Sequence, residues 1–183
     1  DAMREEGIRY TEQFKVEWRN GCGEDTGLVT GSMQWILMGS SFHWVDAAAA
    51  LPEFSRVLQP GGFFTAVWNP RDLENSVLHT RIEGRILGIA PHIKRVSSGA
   101  SKYTDSISEK LLSTGNFSDV VFTEGYHEVY MTKERYMGAW RSVNDVRVQA
   151  GPECWPKILE AIEEEIADLD EVVVPYKTRA WTV

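Results

Sequence analysis

The sequence predicts one α/β domain built around a parallel sheet. Two nearly continuous apolar runs, "MQWILMGSSF" (33–42) and "FFTAVWN" (63–69), have the composition of strands covered on both faces. Between them "HWVDAAAALPEFSRVL" has helical apolar spacing and "QPGG" supplies a stop and a turn. Strand, helix, turn and strand make a βαβ unit, which implies a right-handed crossover and parallel strands. No repeat or linker divides the chain. Its 183 residues, 43 % hydrophobic and 11 % aromatic, are enough for one substantial core.

The remaining elements follow in order. Ala2 to Gln13 reads as the end of a helix, and "FKVEW" alternates Phe14, Val16 and Trp18 with charged residues, as a short strand does. In the crossover helix Asp46 is the predicted cap and Leu51, Phe54, Val57 and Leu58 the buried stripe; Pro52 suggests that the regular part starts only there. Leu78, Ile82, Ile86 and Ile89 lie at helical spacing, and 95–103 reads as a polar loop. Ser106 and Glu109 fit a capping box for a short helix ended by Gly115. "DVVFTEGYHEVYM" reads as a strand with a bulge at Gly125, after which Thr132 caps a helix carrying Tyr136, Trp140 and Val143. The last helix buries Ile158, Leu159, Ile162, Ile166 and Leu169 and turns Glu163, Glu164 and Glu165 to water. "EVVVPYKTRAWTV" is a closing strand whose Pro175 suits an edge or a bulge.

Charge and composition exclude several functions. A net charge of −8 and a pI near 5.1 argue against nucleic acid or an anionic membrane as partner, since both attract a surplus of Lys and Arg. Cys22 and Cys154 form neither a disulfide framework nor a metal spacing, and His79, His92 and His127 have no ligand-like arrangement, so no metal is expected. No apolar run reaches the ~20 residues of a membrane span and the charged opening is no signal peptide, so the expected location is cytoplasmic.

"RNGCGEDTGL" (19–28) resembles a nucleotide-binding glycine loop only in its glycines. Such a loop needs a helix directly after it to aim backbone amides at the anion, and about five residues separate Gly27 from the strand at Met33. The segment is therefore a strand-to-strand loop, which disfavours a nicotinamide-linked oxidoreductase.

Four ordered motifs, "GCGEDTGL", "SSFHWVD", "RVLQPGG" and "WNPRD", together with "VPYKTRAW" near the end, resemble the class I S-adenosylmethionine (SAM)-dependent methyltransferases, in particular the small-molecule branch related to trans-aconitate methyltransferase. The resemblance covers essentially all of 1–183 as a single methyltransferase-like domain and implies a Rossmann-like sheet with an antiparallel strand pair at the C-terminal end. That family's usual strand order is 3-2-1-4-5-7-6. "FKVEW" would be strand 3 and "WILMGSSF" strand 4, with the two intervening strands and their "D-x-G-x-G-x-G" loop missing from the N-terminal side. The chain would then hold two-thirds to three-quarters of the usual fold. Strand 4 would have an unpaired apolar edge, covered either by strand 3 or by a second copy in a homodimer.

By the same resemblance, SAM is the expected cofactor, with Cys22, Gly23 and Glu24 on its adenine side. Gly39, Ser40, Ser41 and Phe42 lie at the strand end where open α/β sheets bind ligands, and either admit the methionine part of SAM or simply pack closely. His43 is the candidate general base, or else a hydrogen-bonded structural residue. Trp44, Trp68, Asn69 and Arg71 are candidate substrate contacts; Arg71 either binds a carboxylate or pairs with Asp72 at the surface. Tyr130, Trp140 and Tyr176 either roof a substrate pocket or belong to the core. The activity implied is in-line methyl transfer to a small molecule; the alternative is a non-catalytic methyltransferase-like module acting in binding or assembly.

Overall fold

The computed structural model describes residues 2–73, 75–94, 104 and 106–183. The loop expected at 95–103 lies outside these. Helix α1 spans Ala2–Tyr10, strand β1 Met33–Gly39, α2 Ala47–Val57 and β2 Leu58–Trp68. Helix α3 (Val77–Ile89), the short α4 (Ile107–Leu112), β3 (Val121–Met131), α5 (Lys133–Arg141), α6 (Asn144–Glu165) and β4 (Val172–Thr182) complete the chain. A single 3₁₀ turn, Phe42–Trp44, joins β1 to α2. No helix among the described residues is long and apolar enough to cross a membrane.

The four strands form one sheet in the order β1-β2-β4-β3. β1 and β2 are parallel, and β4 runs antiparallel to both β2 and β3. This is the order expected for strands 4-5-7-6, antiparallel pair included. The crossover helix begins at Ala47, not at Pro52, because Asp46 caps it by accepting from the Ala48 amide at 3.0 Å. Its stripe of Ala50, Leu51, Phe54 and Val57 is buried, at about 1.5–3 kcal/mol for each large side chain.

β4 decides how the molecule is layered. Val172 and Val174 lie in a core with Ile82 and Ile86 of α3, Tyr136 and Trp140 of α5, and Ile158 and Ile162 of α6. Trp181 and Val183 lie in a second core with Phe54 of α2, Leu111 of α4 and Phe64 of β2. Even and odd positions of a strand face opposite ways, so the two cores occupy opposite faces of the sheet. Arg81 and Arg85 tie α3 to α6 through Glu164 and Glu165, so the acidic run is not turned wholly to water.

Several expectations are corrected. "FKVEW" forms no strand: Phe14, Val16 and Trp18 are exposed, and Trp18 folds back over Gly7 and donates its indole N–H to Thr11 Oγ1 at 2.9 Å. Alternation alone makes no strand without a partner to complete the ladder, and this segment pairs with its own helix instead. It therefore does not cover β1, whose outer edge pairs with nothing among the described residues. "QPGG" is looped out within β2, so that the register jumps from Met33↔Leu58 to Trp35↔Phe63. Gly61 has φ 78°, and a side chain on Gly62 would strike the Gln34 and Gln59 carbonyls at 2.9 and 3.0 Å.

Gly125 makes no bulge, since β3 and β4 pair without a break from Val121↔Thr182 to Met131↔Val172. Ser106 occupies the cap position of α4 without a side-chain bond. Pro175 sits in a strand that is internal by order but locally an edge: β2 leaves β4 after Trp68↔Arg179, and the free Pro175 carbonyl accepts from the Asp72 amide at 2.9 Å. The last helix is two helices in line, divided at Gly151 (φ 68°, ψ 178°) before Pro152.

Candidate functional site at the strand tips

The carboxyl ends of parallel β1 and β2 converge with the loop that precedes β1. That loop is fastened to α2 by long-range polar contacts. Thr26 gives its amide and hydroxyl to Glu53 Oε1 at 3.0 and 2.5 Å, and Arg56 reaches the Leu28 carbonyl and Thr30 Oγ1, both at 2.9 Å. Glu24 Oε1 accepts from the Asp46 amide at 2.8 Å, which holds its carboxyl below the usual range. Gly23 packs on Val45, where a Cβ would come within 2.7 Å of Cγ1. Cys22 is exposed, with its amide directed at the Asp25 carbonyl. Cys22, Gly23 and Glu24 thus lie against the start of the crossover helix.

At the tip of β1 the chain turns sharply. Ser40 has φ 48°, a left-handed conformation uncommon outside glycine, and its amide bonds the Val67 carbonyl of β2 at 2.8 Å. Gly39 and Ser40 are exposed, and nothing stands within 4 Å of where a Cβ on Gly39 would lie. Phe42 is turned the other way, into the core against Phe64 at 5.3 Å. Of the four residues expected to meet a cofactor here, Gly39 and Ser40 border open space, Ser41 is half-buried and Phe42 anchors the turn.

His43 and Trp68 join the two tips. The Trp68 indole N–H points at His43 Nδ1 at 3.4 Å, and the rings lie 6.4 Å apart. Burial lowers the His43 pKa, so the imidazole is neutral at pH 7. In this geometry Nδ1 accepts, which leaves the ring proton on Nε2; a base role requires the long Trp68 bond to open. Trp44 is 80 % exposed and stands beside His43 at 4.6 Å, a flat wall facing solvent. Trp68 is 1 % exposed and packs edge-on against Trp181.

The other candidates divide into two groups. Asn69 is exposed just past the β2 tip and accepts from the Thr178 hydroxyl at 2.8 Å. Arg71 makes no surface pair with Asp72; its guanidinium lies over the Trp140 ring at 5.3 Å, and its backbone bridges to Tyr176. Asp72 is buried and accepts from Asn75 at 2.8 Å. Trp140 belongs to the core, and Tyr176 stacks on His127 at 5.3 Å, so these two gather around Arg71. Tyr130 stands apart, exposed near the far end of β3 with its hydroxyl on Glu128. The polar ties from Glu53 and Arg56 to the loop, and the contact of Glu24 with Asp46, were not readable from the sequence. Their partners are 22 to 28 residues away, with no periodicity to connect them.

A doubly covered sheet whose parallel tips meet an acidic loop at the start of the crossover helix defines an α/β protein of the class I methyltransferase type. Residues 2–66 match the methyltransferase-domain family model. An uncharacterized methyltransferase of Mycobacterium tuberculosis and one of Mycobacterium bovis are each 46 % identical over 52 residues, covering 28 % of this chain and 21 % of theirs. The chain therefore aligns with only about a fifth of the length of these curated relatives. Among solved structures, one named as a type II methyltransferase from Anaeromyxobacter dehalogenans superposes with TM-score 0.62 at 16 % identity, covering 92 % of this chain and 71 % of that one. A protein named as a methyltransferase from Bacillus halodurans gives 0.51 at 11 % identity, covering 100 % and 78 %. The chain has the class I SAM-dependent methyltransferase fold, and residues 2–66 carry that family's sequence.

Proposed function

We propose that this protein transfers a methyl group from SAM to a small-molecule acceptor. One observation carries the reading: three segments distant in sequence, Cys22–Glu24, Gly39–Trp44 and Trp68–Asn69, meet at the carboxyl ends of two parallel strands, joined by Glu24 on the Asp46 amide and Trp68 on His43. The open space over Gly39 and the exposed backbone of Cys22 fit a cofactor with a slender chain and a heteroaromatic ring. SAM, when bound, supplies an activated methyl group for attack by an O, N or C nucleophile.

The chain's own residues hold and enclose. Glu24 keeps the Cys22–Gly23 backbone at the adenine side. Gly39 and Ser40 leave room for the methionine part, and Ser41 and Phe42 fix the turn that presents them. Trp44 and Asn69 border the acceptor's approach, with Arg71, Trp140 and Tyr176 beyond them; Tyr130, far from this group, is the outlying member of the candidate set. Positioning and exclusion of water supply much of the acceleration for so reactive a donor, and neutral His43 is the candidate base when the acceptor has a proton to lose. The free thiols of Cys22 and Cys154 support a reducing, cytoplasmic setting.

Calorimetry and thermal shift with SAM test the reading, followed by transfer of labelled methyl to a panel of small acids, phenols and amines. Saturable heat and a raised melting temperature are expected. Absence of both at millimolar SAM would favour the non-catalytic module.

A further inference from the structure

Past the β2 tip lies a polar cluster that the methyl-transfer reading does not use. His79, in the first turn of α3, is 1 % exposed. Ser76 Oγ accepts from the His79 amide at 3.4 Å and lies 2.7 Å from His79 Nδ1. The hydroxyl is already an acceptor toward the amide, so its own hydrogen is the one available to Nδ1, and this puts the imidazole proton on Nε2. That Nε2 is buried and has no hydrogen-bond partner among the described residues. An unpaired buried donor is costly, so such groups in folded proteins are normally satisfied by something.

The surroundings of Nε2 indicate what that something is. The His79 ring meets Tyr136 edge-on at 5.9 Å, Tyr136 meets Trp140 edge-on at 6.4 Å, and the Arg71 guanidinium lies over Trp140 at 5.3 Å. Burial holds the His79 pKa down, to about 4, and the Arg71 charge adds to the effect, so the two groups share one electrostatic environment and His79 is neutral at physiological pH. Arg71 also opposes the burial that raises the Tyr136 phenol, as does the Trp140 side chain. No carboxylate lies within ion-pair distance of Arg71 among the described residues: Asp72, its neighbour in sequence, is buried and engaged with Asn75. The cluster thus presents a cation and a buried N–H with no anion between them.

We infer that Arg71 and the Nε2–H of His79 form a binding site for an oxyanion, a carboxylate or a phosphate group. Arg71 is pre-set for it, because its backbone bridges to Tyr176 and its guanidinium rests on Trp140, which leaves little rotamer freedom to lose on binding. Ser76 is the positioning residue that fixes the His79 tautomer. Only one further step rests on the methyl-transfer reading: the site lies two residues beyond Asn69, beside the proposed acceptor approach, so the oxyanion is an anchoring group on the acceptor.

The test uses the intact chain with ¹⁵N-labelled histidine. The Nε2 resonance of His79 is followed by NMR during titration with sodium phosphate and, separately, sodium acetate, with sodium chloride as the ionic-strength control. A protonated Nε2 and a saturable shift with phosphate or acetate, absent with chloride, are expected; which anion shifts it distinguishes the tetrahedral from the planar ligand. Arg71→Gln, at a half-exposed position that leaves the core intact, should weaken the response by at least about tenfold. A proton on Nδ1, a resonance indifferent to both anions, or equal affinity in Arg71→Gln would overturn the site. SAM binding is read separately on the unmodified chain, so a chain that binds oxyanion and not SAM defeats only the methyl-transfer reading and the anchoring role.

Discussion

Glu53 shows how much one side chain can hold. It accepts from Thr26 and Arg56 together, and these bonds, Arg56 first, lower its pKa from 4.5 to about 2. Since the folded form holds the proton less tightly than the unfolded form, the stability it contributes is fully present above pH 4.5 and disappears as pH falls from there toward 2. Urea unfolding across that range should show a steep loss in the parent protein. Glu53→Gln should flatten it and cost about 1–2 kcal/mol at neutral pH. At this scale the sequence was informative about some residues and silent about others. Asp46 as a cap and Phe54 as core follow from local pattern, because cap and stripe are both set within a few residues. Glu53 reads as an ordinary solvent-facing helix residue, since its partner Thr26 is brought to it only by the path of the chain. The same holds for His79, whose spacing says nothing of Arg71.

Elements test the balance between local preference and partner. Asp46→Ala should lower stability by about 1 kcal/mol in a thermal melt, and it should also loosen the Glu24 contact by fraying the amide on which that contact depends. Gly151 sits at a joint between two helices in a conformation open essentially to glycine alone, so Gly151→Ala should cost about 1–3 kcal/mol even though nothing lies near its Cα to clash. Helices were the better predicted elements, because their apolar period is a property of one segment. The strand expected at "FKVEW" failed for the converse reason: a strand is completed by a neighbour, and here the Trp18 ring found the glycine on α1 first. Likewise "QPGG" was recognised as a turn, but only the closeness of the Gln34 carbonyl shows why Gly62 must lack a side chain.

On the scale of the whole molecule the outer edge of β1 stands out. It is unpaired among the described residues, and Trp35 and Leu37, on the face away from α2, are 61 % and 59 % exposed beside an exposed Phe63. We propose that a second copy of the chain covers this edge in a homodimer. Sedimentation should then give twice the monomer mass at micromolar concentration, and Leu37→Lys, on an already exposed side chain, should return the monomer without lowering the melting temperature. A monomeric parent protein would end the proposal. The sequence by itself determined the parallel βαβ unit, the closing antiparallel pair and the residues available at the strand tips, since period, caps and turn residues act over short stretches of chain. Only the tertiary structure decided that Glu24 meets Asp46, that Trp68 meets His43 and that Arg71 lies over Trp140 near a lone His79 donor. Those contacts join residues whose separation in the chain bears no relation to their distance in space, and burial, which sets their chemistry, exists only once both sides have packed.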